Sequence, residues 1–506
     1  MTTVTQIMQA TVGPHRRSKR PPMWPISKMA AAAAAAVAIA AVAAGCTASG
    51  DAVRPQNDEI FFPTGAAISP DGKLLFVANA NSDLKYDSGT VAVLRVADLE
   101  TVITAWLGDG TQPGAGDCID DADNDRKADQ VCCEREADFT ETLGCHADFF
   151  LRSSGPQGVR IGNFATDIAL QDLMDGRLRL IVPTRGDPSI TWTDWTPGAE
   201  SSQDRLFCNE EKDETDKPFH LCDEAHRLAF VQNETDRPAI SEEPFGVFAD
   251  TAGQFAMVTH LTTGAVTLID SPRDPGGVVQ VTDVQLGVFG ADPTTGLRGS
   301  TGVAGRNPGA PGDIVYVGSR TEDRIQTFTV GRLANGAPPV LLQGNFFFLD
   351  GVGNNANVNS DGSDTRGMAF SPGGDRLYLV NRKPPSLQIF DTSIGPTGVP
   401  RNELAGAVDM CRQASTVTVV DSGDGERAYV TCFQDGQIYV VDPRGTGRVE
   451  DVITVGRGPY SAVAAPGGKR LYVTNFLEDT VSVIDLTPGS RTRNRVVLRV
   501  GKPRAL

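Results

Sequence analysis

Histidine is almost absent from this chain: 506 residues carry five, and one of them, His15, lies in an N-terminal segment set apart below. The other four, His146, His220, His226 and His260, contain no pair at zinc-finger spacing. There is no C-x-x-C-H haem-attachment motif, no G-x-S-x-G nucleophile elbow and no glycine-rich phosphate loop. Positive charge is also short, with 46 Lys and Arg against 63 Asp and Glu and a formal net charge of −17. Such a chain repels a phosphate backbone, which excludes nucleic acid as an expected partner and favours cations or basic surfaces.

The basic residues that exist are unevenly placed. The run from His15 to Arg20 ("HRRSKR") and Lys28 precede an uncharged, Ala-rich stretch, Met29 to Gly45, which ends at Cys46. A basic n-region followed by an apolar h-region is the layout of a secretory signal. Seventeen mostly Ala residues are short and weakly apolar for a stable membrane span. "AAGC" (Ala43 to Cys46) resembles the lipobox of bacterial lipoproteins, in which the chain is cut before the Cys and the Cys carries the lipid. Ala43 stands where that family usually has Leu. The resemblance implies a lipid anchor on Cys46 in the bacterial cell envelope, and Thr47 in place of Asp after the Cys points to the outer membrane. Residues 1–45 are thus expected to be signal and 46–57 a polar tether. Without the signal's five basic residues the net charge is −22.

Eight cysteines remain: Cys118, Cys132, Cys133, Cys145, Cys208, Cys222, Cys411 and Cys432. An even number in an exported chain predicts disulfides. Local clustering predicts Cys208–Cys222 and Cys411–Cys432, with two further bridges among the first four in one of three pairings. Adjacent Cys132 and Cys133 are poor partners for each other, because the short link strains the bond geometry.

One pattern then recurs along the whole chain: a small-apolar run, a Pro/Asp-Gly turn, a run ending in Asn or its equivalent, a polar turn, and an alternating run. "PTGAAISPDGKLLFVAN" from Pro63, "TRGMAFSPGGDRLYLVN" from Thr365 and "PYSAVAAPGGKRLYVTNFLEDTVSVIDL" from Pro459 are clear copies; others begin at Pro244, Ser300 and Cys411, and a degenerate one at Gly155. Most copies are followed by another apolar run, such as "TVITAWL" (101–107). Four short alternating runs joined by Gly/Asp turns read as a four-stranded antiparallel sheet. Such a sheet cannot cover both apolar faces alone; repetition around an axis does. Seven copies predict an all-β chain, a seven-bladed β-propeller over 58–506. An acidic, disulfide-rich insertion (108–155) is expected between blades one and two, and a Cys208–Cys222 loop over 196–224.

"LYVTN" (Leu471 to Asn475), "SPDG" (Ser69 to Gly72) and "VSVIDL" (Val481 to Leu486) resemble the YVTN family of β-propeller repeats. The resemblance implies a secreted seven-bladed propeller whose role is mostly binding or scaffolding. Nothing in the motif is chemical, and Asn79, Asn381 and Asn475 are expected to cap turns.

Candidate chemistry therefore sits on loops. In the insertion, Asp121, Asp123, Asp125 and Asp129 follow a D-x-D-x-D-x-x-x-D spacing that supplies several hard oxygen ligands from one loop, as Ca²⁺ requires. It resembles thrombospondin type 3 and EF-like loops, but Arg126 replaces the usual Gly and Cys132 the usual Glu. Asp117, Asp120 or Glu134 would complete the set; the ordinary alternative is a solvated acidic loop. "NVNSDGSD" (Asn357 to Asp364) is a weaker candidate, more simply a turn bonding its own backbone. Arg185, Arg320 and Arg382 each follow the position equivalent to Asn475, so in a ring of blades they should point toward one funnel, with Arg366 nearby. Guanidinium forks suit carboxylate or phosphate; the ordinary alternative is local pairing with Asp187 or Asp323. His260 occupies an Asn-equivalent position and is expected to face the same funnel.

The sequence thus favours a monomeric envelope lipoprotein that displays a propeller as a binding or scaffolding module for a protein or small ligand, stabilised by Ca²⁺. The alternative is a propeller enzyme, a lactonase or a periplasmic oxidoreductase. Such an enzyme needs a convergent set of His, Glu, Asp or Lys, whereas Asn, Thr, Ser and Cys dominate the equivalent positions.

Overall fold

A computed structural model describes residues 53–111, 132–151, 158–173, 176–197, 205–208, 221–229, 240–250, 254–274, 277–291, 296, 298–306, 313–331, 338–349, 363–445 and 447–501. Cys46, Cys118, the four aspartates of the calcium candidate and nearly all of the "NVNSDGSD" stretch lie outside these residues. Seven antiparallel sheets, each built on four strands in sequence order, follow one another along the chain. Their first strands are neighbours in a ring: Pro63–Ile68, Ala169–Asp172, Pro244–Ala249, Ser300–Gly305, Thr365–Phe370, Ala414–Asp421, Pro459–Ala464, and back to the first. This is the seven-bladed β-propeller. Among the described residues no helix is long and apolar enough to cross a membrane.

The pattern of each strand follows from its radius in the blade. Second strands, such as Leu74–Asn79, Phe255–His260 and Arg470–Asn475, are buried almost throughout. They face a neighbouring blade on both sides, so they read as continuous apolar runs. The third residue of that strand is large and fully buried in Phe76, Tyr316 and Tyr472. Outer strands such as Arg448–Thr454 alternate exposed and covered positions. The result is seven hydrophobic cores, one at each contact between successive blades.

Hydroxyls add a second layer of attachment close to the axis. Thr166 donates to the Phe245 carbonyl of the next blade (2.6 Å), Thr259 to that of Thr301 (2.7 Å), and Thr301 to that of Thr365 (2.7 Å). Thr474 of blade seven donates to the Thr64 carbonyl of blade one (2.7 Å), which carries the series across the closure.

Three sequence expectations need correction. Residues 101–107 are not the outer strand of blade one but part of a helix, Val96–Asp109, closed by left-handed Gly110. Its β-branched residues suggest a strand, yet its buried side chains Leu99, Val102, Ile103 and Trp106 keep the helical period. Second, the outer strand of blade one is Val159–Ile161, in the stretch assigned to the inner strand of blade two, which is Ala169–Asp172 instead. The insertion therefore lies within blade one rather than after it. Third, the outer strand of blade two is split: Arg205–Phe207 and Arg227–Ala229 pair with different halves of Ser189–Thr196. Disulfides join Cys208 to Cys222, Cys411 to Cys432 and Cys133 to Cys145, and Cys132 is also disulfide-bonded.

The described part of the insertion does not stay with blade one. Leu143–Cys145 lies parallel to Arg495–Val500, the outer strand of blade seven, and Cys133–Arg135 pairs with Leu143–Cys145 in turn. A free strand edge is thereby covered.

Candidate funnel site

Six of the seven inner strands shift register near their start, for example between Ser300 and Val303 and between Thr365 and Met368. A bulge bends a strand and re-aims the residues within it. Here it turns them toward the axis. Gly65, Gly246, Gly302 and Gly367 occupy one equivalent position, and there a Cβ would fall within 2.7 Å or less of the next blade's backbone. Blades can approach the axis this closely only with glycine at the tightest points. Blade two carries Asp167 at this position instead.

The bulged residues, together with those that follow the second strands, line a cavity of about 500 Å³ on the axis. Arg185, Arg320, Arg366 and Arg382 all line it, from blades two, four and five. Their pairing differs. Arg185 binds Glu243 (3.0 Å), not Asp187, which takes Arg227. Arg366 is held by Asp364, Nη2 to Oδ2 at 3.1 Å. Arg382 donates from Nε to the Ala414 carbonyl and from Nη2 to Ser415 Oγ, both at 2.8 Å, and so bridges blades five and six. Burial and the nearby Arg366 pull its pKa down to about 10, and it stays charged at neutral pH. Among the described residues neither Arg320 nor Arg382 has a carboxylate ion-pair partner.

Asp167 shares the cavity wall. Its carboxylate accepts from Ile168 N (2.9 Å) and from Val247 N of blade three (3.1 Å). Burial nevertheless pushes its pKa up to about 6. Tyr460 and Phe433, from blades seven and six, complete an aromatic part of the wall. Burial also raises the Tyr460 phenol. The site offers fixed positive charge, one carboxyl that titrates near neutrality, and apolar ring surface.

His260 is not part of it. It lies in the second strand of blade three, fully buried, with Nδ1 against the Glu242 carbonyl (2.9 Å) and Nε2 against Thr267 Oγ1 (2.8 Å). The last residue of a second strand points into the blade, and the next residue, Leu261 here, reaches the cavity. The asparagines at the same position behave likewise. Asn475 accepts from Gly456 N (3.1 Å) and donates to Thr480 and Ser482, and Asn381 accepts from Asp364 N (3.1 Å). Among the described residues no group of three His, Cys, Asp or Glu is placed to hold a metal ion.

No family model matches the sequence. Over 145 residues the chain is 26% identical to Protein NirF of Pseudomonas aeruginosa, which covers 28% of this chain and 36% of that protein. The match thus spans about a third of the relative's length. Among solved structures, a putative 6-phosphogluconolactonase from Bacteroides fragilis is similar at 14% identity and a TM-score of 0.46, over 88% of this chain and 99% of that one. The periplasmic gluconolactonase of Pseudomonas aeruginosa is similar at 17% identity and a TM-score of 0.44, over 66% of this chain and 86% of that one.

Proposed function

We propose that the protein is a binding module of the cell envelope, anchored through Cys46, which takes an anionic small ligand, or an anionic group of a partner, in its axial funnel. The observation that supports this reading is the gathering of four arginines from three blades in one cavity, with Arg320 and Arg382 free of any carboxylate ion pair among the described residues. Unneutralised guanidinium groups in a partly desolvated cavity attract carboxylate or phosphate strongly. The cavity volume also falls in the range of small-molecule sites. Ca²⁺ held by Asp121, Asp123, Asp125 and Asp129 belongs to the proposal on the strength of the sequence spacing alone.

A second reading, an enzyme, has one specific observation in its favour. Asp167 sits in the same cavity with a carboxyl poised near neutrality, as a general acid or base requires.

Calorimetric titration of the full-length protein with phosphate and acetate tests the binding reading, on which both anions bind. Arg320→Ala weakens binding while leaving stability within about 0.5 kcal/mol, as expected for a side chain with no structural bond among the described residues. Arg382→Ala weakens binding and also destabilises, because it strips two bonds between blades. Anion binding unchanged in both variants would overturn the reading. Release from membranes on Cys46→Ser tests the anchor.

A further inference from the structure

The residue that follows the Asn475-equivalent position of the second strand recurs from blade to blade around the cavity. It is Arg185, Arg320 and Arg382 in blades two, four and five, but Phe433 and Phe476 in blades six and seven. The rings there form a connected group. Phe433 lies 6.4 Å from Tyr460 and 6.1 Å from Phe476, Tyr460 lies 5.9 Å from Phe476, and Phe476 lies 5.3 Å from Phe62, centroid to centroid. Phe62 and Phe476 also pack on the core between blades one and two. Phe433 and Tyr460 belong to none of the seven inter-blade cores, and both line the cavity. Phe245 repeats the case on blade three: it lines the cavity, lies outside the cores, and has the Arg366 guanidinium 5.9 Å from its ring.

Aromatic side chains that belong to no inter-blade core are left presenting ring surface inside a cavity that also holds four arginines. On the premise that the funnel takes anions, we infer that its ligand is an anionic arene: a flat aromatic body bearing a carboxylate or phosphate. The anionic group meets the guanidinium groups of Arg320 and Arg382, the two without a carboxylate partner among the described residues, and a planar guanidinium suits a carboxylate or phosphate better than a point charge does. The ring packs against Phe433 and Tyr460, which already lie edge-on to each other. A cavity of about 500 Å³ is also far larger than an inorganic anion needs. Charge supplies capture, and the aromatic sector supplies selection.

The test compares matched probes on the full-length protein by calorimetry: phosphate, cyclohexyl phosphate and phenyl phosphate, then acetate, cyclohexanecarboxylate and benzoate. Phenyl phosphate or benzoate should bind at least ten-fold tighter than its inorganic or aliphatic counterpart and several-fold tighter than its saturated ring analogue. Phe433→Ala should lower arene affinity about ten-fold while leaving affinity for the simple anion unchanged. Phe433→Leu keeps an apolar side chain but no ring, and it should abolish the preference for the flat ring over the saturated one. Equal binding of simple and aryl anions, or an arene preference that survives Phe433→Leu, overturns this inference and leaves the anion reading intact. If no anion in either series binds, both fall.

Discussion

Arg470 of blade seven and Glu100 of the helix that leaves blade one face each other in a two-pronged ion pair, Nε to Oε1 at 2.8 Å and Nη2 to Oε2 at 3.1 Å. The pair lies on the seam where the last blade meets the first. Each of these two blades takes its own four strands from one end of the ring, so no strand is exchanged to lock them. The helix and the insertion after it supply the lock instead. Leu99, Val102, Ile103 and Trp106 of the helix enter one core with Val481, Val497 and Leu498 of blade seven. Thr142 donates to the Val496 carbonyl at 2.8 Å, and Glu136 pairs with Arg499 at 3.0 Å.

The first prediction concerns this lock. Trp106 is buried and donates from Nε1 to the Glu141 carbonyl at 2.9 Å. Trp106→Ala should cost about 3–5 kcal/mol, as for other buried aromatic truncations. Replacing Cys133 and Cys145 together by Ser should cost about 2–4 kcal/mol. Leu342→Ala, exposed on an outer strand, should stay within about 0.5 kcal/mol. Denaturant midpoints decide the matter, and a midpoint for Trp106→Ala as high as that of the Leu342 variant would rule out the lock.

The second prediction concerns spacing at the axis. A Cβ on Gly302 would sit 2.0 Å from the Arg366 carbonyl, whereas one on Gly406 would meet nothing within 4 Å. Gly302→Ala should therefore destabilise by about 1–3 kcal/mol or more through forced backbone shifts and should move Arg366 in the funnel. Gly406→Ala should be neutral or mildly stabilising, since it only restricts the unfolded chain. A Gly302 variant as stable as the Gly406 variant would show that the blades are not packed this closely.

The ring was legible in the sequence because its repeat is carried by backbone demands. The turn at Ser69 to Gly72, the doubly buried run Leu471 to Asn475 and the small inner strands recur wherever a blade is regular. Blade two escaped this reading because "TDIALQD" has neither the glycine nor the following "SPDG" turn, and its register was borrowed from Val159–Ile161. Asp167 stands out only where the true register of blade two aligns it with Gly65, Gly246, Gly302 and Gly367. The position held by Arg185, Arg320 and Arg382 is as legible in blades six and seven, where it carries Phe433 and Phe476. His260 stands one residue before the funnel position, which Leu261 holds. In a strand, neighbouring side chains take opposite faces, so the residue before a funnel residue turns into the blade.

His260 carries the third prediction. Burial depresses its pKa to about 4 from an ordinary 6.5. Between those values the unfolded chain binds a proton that the folded chain refuses, so stability should fall as pH drops from about 6.5 to 4. The full effect is about 3 kcal/mol at about 1.4 kcal/mol per unit. His260→Gln should flatten that part of the stability-pH curve. A curve of unchanged slope in the variant would mean that another group is responsible.

The last prediction joins Asp167 to the arginines. Its folded pKa is raised to about 6 from 3.8, so the folded chain holds a proton there that the unfolded chain releases. Its contribution to stability is complete below about pH 4 and is lost as pH rises through 6. Binding should follow the same titration. Below pH 6 the cavity holds its arginine charges with a neutral carboxylic acid; above it, a carboxylate opposes the incoming anion. A second charge within several ångströms in a medium of intermediate dielectric is worth on the order of 1–2 kcal/mol, or about ten-fold in affinity. Benzenesulfonate keeps its own charge throughout this range, and Arg382, at about 10, stays ionised as well. Its dissociation constant should therefore rise about ten-fold between pH 5 and pH 7.5. Asp167→Asn should hold the tighter value at both ends. A pH dependence that persists undiminished in Asp167→Asn would place the controlling group elsewhere and separate Asp167 from the site.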